Sequence, residues 1–267
     1  MREWLASWRF LLSRRWVLFF LVVVLLAYAA WWLGEWQFHR LHDRRAENAI
    51  IEANAHQDPQ PVASVLAPDQ PVAETDEYTV VTATGVYDPA STIVVRYRTD
   101  EHGTPGVDAV VPLVTADGTA LLVDRGWFET TDPGIDPASL PAPPTGTVTI
   151  TGWVRVDGTG DSTQVTDHST RSISSVAIGD ALDEKVYGGF VEMLTEDPPA
   201  ADPLGPPEEP DLGEGPHFFY GLQWWFFGLL AVGGMGYLAW DERKHGPRGE
   251  RRRTTKADDE TAADAEL

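Results

Sequence analysis

Trp16-VLFFLVVVLLAYAAWW-Leu33 carries no charged residue, and a second apolar run, Phe218 to Trp240, has Gln223 as its one strongly polar member. At about 1.5 Å of rise per residue, helices of this length cross a hydrocarbon layer of roughly 30 Å. No third such run exists in the 267 residues. The fold therefore reads as two spans with a domain hung between them. A cleaved signal peptide is the rival reading of the first run, because Ala27-Tyr28-Ala29 follows Arg14 and Arg15. The apolar stretch exceeds the roughly 7 to 15 residues of a signal core, and Trp31, Trp32 and Trp36 then form an interfacial belt, which favours a retained span.

Basic residues near the spans set the orientation. Arg2, Arg9, Arg14 and Arg15 precede the first span, and Arg243, Lys244, Arg248, Arg251, Arg252, Arg253 and Lys256 follow the second. Both ends are expected in the cytoplasm, against the lesser pull of Arg40, Arg44 and Arg45. Residues 41–217 hold 31 Asp and Glu against 8 Lys and Arg, a net of −23. Such a field repels nucleic acid and anionic lipid surfaces and attracts a basic protein face. The absence of cysteine excludes disulfides, thiolate copper sites and covalent c-type haem. Scarce lysine suits a GC-rich bacterial genome, and the lack of a long Ser/Arg-rich presequence argues against a mitochondrial origin.

The chain divides into a cytoplasmic N-terminus (1–15), the first span (16–33), a helical extension (34–56), a Pro/Asp-bearing linker (57–74), a β domain (75–196), an acidic Pro-rich linker (197–217), the second span (218–240) and a disordered cytoplasmic tail (241–267). Strands are predicted at 77–87, 92–98, 107–114, 119–128, 147–156 and 185–194, where Val, Thr and Tyr alternate between turn signals. Asp117-Gly118 between apolar runs predicts a hairpin, and Ile173 to Leu182 a short helix. Evenly spaced strands favour an antiparallel barrel or sandwich. Ala27, Ala30 and Gly34 share a face of the first helix, as Gly221 and Gly228 do of the second. Gly233, Gly234 and Gly236 would face the bulkier start of the first. This predicts an antiparallel helix pair, with packing against another membrane protein as the alternative.

Three segments carry the motifs: Leu33-Gly34-Glu35-Trp36-Gln37-Phe38-His39-Arg40, Val123-Asp124-Arg125-Gly126-Trp127, and His217-Phe218-Phe219-Tyr220-Gly221-Leu222-Gln223-Trp224-Trp225. In this order, around a β domain and two spans, they resemble the surfeit locus protein 1 family of cytochrome oxidase assembly factors. The family's marks are Leu-Gly-x-Trp-Gln-x-x-Arg, Arg-Gly-Trp at a strand end, and His-x-x-Tyr-x-x-x-Trp entering the last helix. Pro216 departs from the Asn that commonly precedes that His, and the acidic linker is unusually long. The resemblance implies a membrane chaperone of the respiratory chain, in a bacterial cell membrane, that assists transient delivery of haem a to the catalytic subunit of cytochrome c oxidase. The alternative is an accessory subunit of a respiratory oxidase or supercomplex that binds no cofactor.

The residue chemistry suits the first reading at His217, since a neutral imidazole is a usual ligand of haem iron. Tyr220 and Trp224 follow at i+3 and i+7 and share its helical face. Trp36 and Arg40 are spaced i, i+4, with Arg40 a candidate partner for a propionate. An aromatic belt with a snorkelling arginine explains the same residues without haem. Gly34, Gln37 and Gln223 belong to the motifs as structural or partner contacts. For Arg125, Gly126 and Trp127 a structural role leads: Gly126 supplies a backbone conformation closed to other residues, and Trp127 fills the barrel floor facing the lipid. His39, His42, His56, His102 and His168 show no metal-ligand spacing. No G-x-S-x-G elbow, phosphate loop, H-E-x-x-H or nucleophilic cysteine is present, so no enzyme is expected.

Overall fold

The computed structural model describes residues 8–100 and 102–246. Arg2, Arg248, Arg251, Arg252, Arg253 and Lys256, on which part of the orientation reading rests, lie outside the described residues. The chain forms two compact units, one reaching to Arg45 and resuming at Glu214, the other Ala46–Gly213.

The first unit is a pair of helices. Helix α1, Arg14–Ala55, is one 42-residue helix. It contains no proline, and it ends ahead of Asp58-Pro59, where the pre-proline residue is pushed out of the helical region. Its partner, His217–His245, starts after Pro216 and stops at Gly246, whose φ is +72° and whose N–H donates to the Glu242 carbonyl at 2.9 Å. Both are long and apolar enough to cross a membrane. Leu18, Phe20, Leu21, Leu25 and Leu26 on the first, and Phe226, Leu229 and Leu230 on the second, are more than half exposed apart from Phe20 at 50%. Apolar patches of that extent mark contact with lipid or protein.

The pair is antiparallel. At one end Arg15 is bonded to Glu242, which also accepts from the Trp16 indole at 3.2 Å. At the other, Arg45 forms a two-armed ion pair with Glu214 at 2.7 and 2.8 Å. Between them the small residues work as the sequence reading expects. A Cβ on Gly34 would come within 2.3 Å of the Trp225 indole, and one on Gly221 within 2.8 Å of the Phe38 ring. One on Gly228 would touch Ala30. Glycine is required where a neighbouring ring occupies the space of a side chain. Gly233, Gly234 and Gly236 correct the expectation: nothing lies within 4 Å of a Cβ there, so these glycines do not face the first helix.

The second unit is a closed barrel with additions. Its elements are β1 (Gln60–Pro61), β2 (Val80–Tyr87), β3 (Ile93–Thr99), β4 (Pro105–Thr115), β5 (Ala120–Glu129), β6 (Thr147–Arg155), β7 (Ser169–Thr170), helix α2 (Ser175–Leu182) and β8 (Phe190–Asp197), which makes the second long helix, His217–His245, α3. The ring runs β2-β6-β8-β5-β4 and returns to β2 through Gly85↔Thr115 to Tyr87↔Leu113. All its pairings are antiparallel except β5 with β8. The other half of the same β4 edge pairs with β3, and β3 in turn with β7. Asp117 and Gly118 close the β4–β5 hairpin, with Gly118 at φ +80°.

Alternation decides what is inside. Val81, Ala83, Val111, Leu113, Leu121, Val123, Val148, Ile150 and Val191 form the main core. The opposite faces of β4 and β5 send Val110 and Leu122 to a second cluster with Ile178 of α2, so both strands are buried on two sides. That explains their near-continuous apolar runs.

Three segments differ from the sequence reading. Residues 57–74 are more than a linker, because β1 pairs with β2 and Val62 and Leu66 enter the main core. The last strand begins at Phe190 and not at 185: Lys185 and Tyr187 bond to Ala120, and the Gly188-Gly189 step, with Gly189 at φ +77°, resets the chain before β8. The Pro-rich segment after β8 is extended but docked, since Gly205 exchanges both backbone hydrogen bonds with Trp127 at 2.8 and 3.0 Å and Leu204 packs on an apolar cluster.

Candidate functional site

The site starts from a single hydrogen bond. The ring Nδ1 of His217, the first residue of α3, lies 2.8 Å from Gln37 Oε1 on α1. With the amide oxygen facing the ring, Nδ1–H donates and the lone pair stays on Nε2. Nε2 lies beside Gly215, where a Cβ would come within 3.4 Å of it. Below this bond, Phe38 packs edge-on to Phe218 at 6.2 Å and against Trp225 at 4.8 Å. The glycine contacts thus set the helix separation, the aromatic lock sets the rotation, and the imidazole orientation follows.

Not every candidate joins this bond. Tyr220 follows on the His217 flank and is 47% exposed, and Trp224 is half-buried, edge-on to Phe227 at 6.0 Å. Trp36 is 46% exposed, and Arg40 is exposed with no ion pair or hydrogen bond among the described residues. It is Gln37, not Trp36 or Arg40, that reaches His217. Gln223 lines a shallow groove of about 540 Å³ with Phe219, Leu222, Trp225, Phe226 and Leu229. Among the described residues, no group of three or more His, Cys, Asp or Glu is placed to hold a metal ion.

The Arg-Gly-Trp segment lies in the barrel unit and is structural in its contacts. Arg125 has the parity of Leu121 and Val123, so it points inward, and it is 1% exposed. Its guanidinium donates to the Pro141 carbonyl at 3.0 Å and to Glu196 at 3.4 Å, and lies 5.6 Å from the Tyr87 ring centre. Burial, then Glu196, pushes the Tyr87 hydroxyl well above the usual phenol range. Gly126 has φ +121° at a bulge between β4 and β5, and a Cβ there would meet the Gly205 carbonyl oxygen at 2.1 Å. Trp127 does not fill the barrel floor. Its indole covers Gly106 of β4, where a Cβ would come within 2.1 Å of Nε1, because the bulge turns the strand after Arg125.

Beside this segment stand three carboxylates on adjacent strands, which the sequence reading missed: Asp108 on β4, Asp124 on β5 and Glu192 on β8. Arg98 pairs with Asp108, and Arg155 reaches Glu192 at 2.7 Å and Glu77 at 3.1 Å. No cation among the described residues pairs with Asp124, and its Oδ1 accepts the Gly126 N–H at 3.1 Å. Burial first, then Asp108 and Glu192, hold its carboxyl well above the ordinary range, so it carries a proton where a surface aspartate would not. Asp108 is raised too, burial outweighing Arg98.

Fold and site define a class: an antiparallel pair of long apolar helices with a closed five-stranded barrel inserted in the sequence between them, and one oriented imidazole where the helices meet. A model of the SURF1 family matches residues 24–229. SURF1-like proteins of Mycobacterium bovis and Mycobacterium tuberculosis, bearing the description uncharacterised, are each 30% identical over 239 residues, covering 87% of this chain and 86% of theirs. The chain belongs to the SURF1 family. That family consists of cytochrome oxidase assembly factors and not of catalysts, so the protein is no enzyme, and family and helices together point to a membrane, which both helices are long and apolar enough to cross.

Proposed function

We propose that this protein holds haem a transiently at the outer face of the bacterial cytoplasmic membrane and hands it to the catalytic subunit of cytochrome c oxidase. The observation that carries this reading is the His217–Gln37 bond. Metal-bound histidines donate their other ring N–H to an oxygen, which fixes the tautomer and raises the basicity of the ligating nitrogen. His217 meets that requirement before any iron arrives. Haem would bring an iron that takes an imidazole ligand; His217 would supply that ligand, with Tyr220 and Trp224 along the same flank as apolar cover. Arg40, exposed and without a counterion among the described residues, suits a propionate.

Positive residues at both ends favour cytoplasmic termini, which puts the Gln37–His217 end of the pair on the outside. The oxidase's catalytic subunit, and other respiratory subunits, would meet the exposed helix faces. A second reading rests on the net charge of −23 over residues 41–217. A field of that size docks on a basic neighbour, as an accessory subunit of an oxidase or supercomplex would, without any cofactor.

Purification from cells that make haem a separates the two. A carrier shows a Soret band, which His217→Ala abolishes and Gln37→Leu weakens about tenfold or more, the usual loss on removing a residue that orients a metal ligand. A colourless protein, stoichiometric with the isolated oxidase, supports the accessory reading. Unchanged haem content of the oxidase after deletion of the gene rejects the carrier.

A further inference from the structure

The barrel unit, Ala46–Gly213, has 29 acidic residues and only six basic ones: Arg96, Arg98, Arg125, Arg155, Arg171 and Lys185. Arg98, Arg125 and Arg155 are consumed in ion pairs with Asp108, Glu196, Glu77 and Glu192. Arg96 and Arg171 are not. In a unit this rich in carboxylates, neither has one within ion-pair distance among the described residues. The fold nevertheless sets them together. Strands β3 and β7 run parallel with Val95 opposite Thr170, and an arginine follows each of these residues in the chain, Arg96 within β3 and Arg171 just past the end of β7. Both guanidinium groups lie over the ring of Tyr97, at 5.9 and 5.6 Å from its centre.

Three features of this cluster work against stability. Like charges gathered about one ring repel. Tyr97 has φ +63°, a left-handed conformation that a bulky side chain resists, at the irregularity in β3 between Val95 and Arg98. The Nε of Arg96 is buried without a hydrogen-bond partner. The strain presents a ring that is 64% exposed with two guanidinium groups close to it. One oxyanion seated against the guanidinium groups answers the repulsion and the uncompensated charge together, since each offers a planar fork that matches a carboxylate or phosphate.

We propose that Arg96, Tyr97 and Arg171 form a recognition site for a carboxylate carried by a partner protein. Exposed tyrosine flanked by arginine is the composition of interface anchors. A membrane surface or a nucleic acid would bring many phosphates into the field of the whole unit, which repels them. A single carboxylate brings one charge into that field and meets guanidinium groups that no carboxylate among the described residues pairs. The site lies wholly in the barrel unit and needs no haem, so it stands or falls separately from the carrier reading.

The test is titration calorimetry of the full chain in detergent at low salt with three probes: an end-blocked peptide bearing two consecutive glutamates, inorganic phosphate, and glycerol phosphate as a lipid headgroup. The peptide binds the wild type. Arg96→Gln and Arg171→Gln each weaken binding by about tenfold or more, as loss of a charge-assisted contact should, and Lys185→Gln does not. Thermal unfolding gives a second reading: the peptide raises the melting temperature of the wild type and leaves that of the double variant where it was. Equal peptide heats, or equal peptide-induced melting shifts, for the wild type and the double variant overturn the proposal. So does binding of phosphate or glycerol phosphate without the peptide.

Discussion

Arg125 and Asp124 are adjacent on β5, face opposite ways and are both buried, yet only one keeps its charge matched. Arg125 points into the barrel and finds Glu196 and the Pro141 carbonyl. Removing one partner of such a pair costs about 3–5 kcal/mol because it strands the other, which makes the arginine hard to replace even though the pair itself adds little net stability. Asp124 points outward into a layer already holding Asp108 and Glu192, so its folded-state carboxyl titrates well above the ordinary range, chiefly through burial. The sign follows from linkage. Below about pH 4 the folded and unfolded states are both protonated and the group is neutral in effect. As pH rises past that point the unfolded chain releases its proton first, so stability falls until the folded carboxyl also ionises. Asp124→Asn keeps an oxygen for the Gly126 N–H and removes the titration. The variant should therefore gain stability relative to wild type between pH 4 and 7, by up to about 1.4 kcal/mol per pH unit, in denaturant unfolding of the purified protein. A constant difference across that interval would show that Asp124 titrates normally.

Close approach of α1 and α3 depends on three glycines, and the cysteine-free chain makes it directly measurable. A Cβ at Gly228 stands 3.4 Å from the Ala30 Cβ, near the roughly 3.5–4.5 Å that a disulfide needs. Ala30→Cys with Gly228→Cys should therefore cross-link on mild oxidation, whereas Ala30→Cys with Gly233→Cys should not, nothing lying within 4 Å of a Cβ at 233. Adding Gly34→Leu, whose side chain would overlap the Trp225 indole, should abolish the bond, and cross-linking that survives it would show that the glycine faces do not hold the pair. Those faces were legible in the sequence because helical spacing exposes them, and the β4–β5 hairpin because Asp117-Gly118 permits one kind of turn. Local pattern failed where no local pattern exists. Val62, Val65 and Leu66 reach the core from a stretch between Pro61 and Pro68 too short to show a period, and Tyr187 is packed ahead of a Gly-Gly step that delays β8 to Phe190. Gln37 and His217, the center of the candidate site, are 180 residues apart, and no periodicity links them. Arg125 did leave a signal, since it shares the parity of Leu121 and Val123.

Taken whole, the molecule ties the two ends of one helix pair with the same chemistry. Arg15 and Trp16 grip Glu242 at one end, and Arg45 grips Glu214 at the other. An antiparallel pair that crosses a bilayer leaves the segments before the first span and after the second on one side and the chain that joins the spans on the other. Arginines and lysines gather at the terminal end, and the barrel unit is strongly negative, so the positive-inside bias and the cost of placing that field against an anionic inner leaflet point the same way. Single cysteines introduced at Ser13, Lys244 and Thr131, all exposed positions, report the arrangement in intact spheroplasts. A membrane-impermeant maleimide should label Thr131→Cys at once, and Ser13→Cys and Lys244→Cys only after permeabilisation. The reverse pattern would turn the Gln37–His217 end toward the cytoplasm and overturn the proposed handover of haem at the outer face. Labelling of Ser13→Cys without Lys244→Cys would break the pair itself, because one helix would then fail to cross.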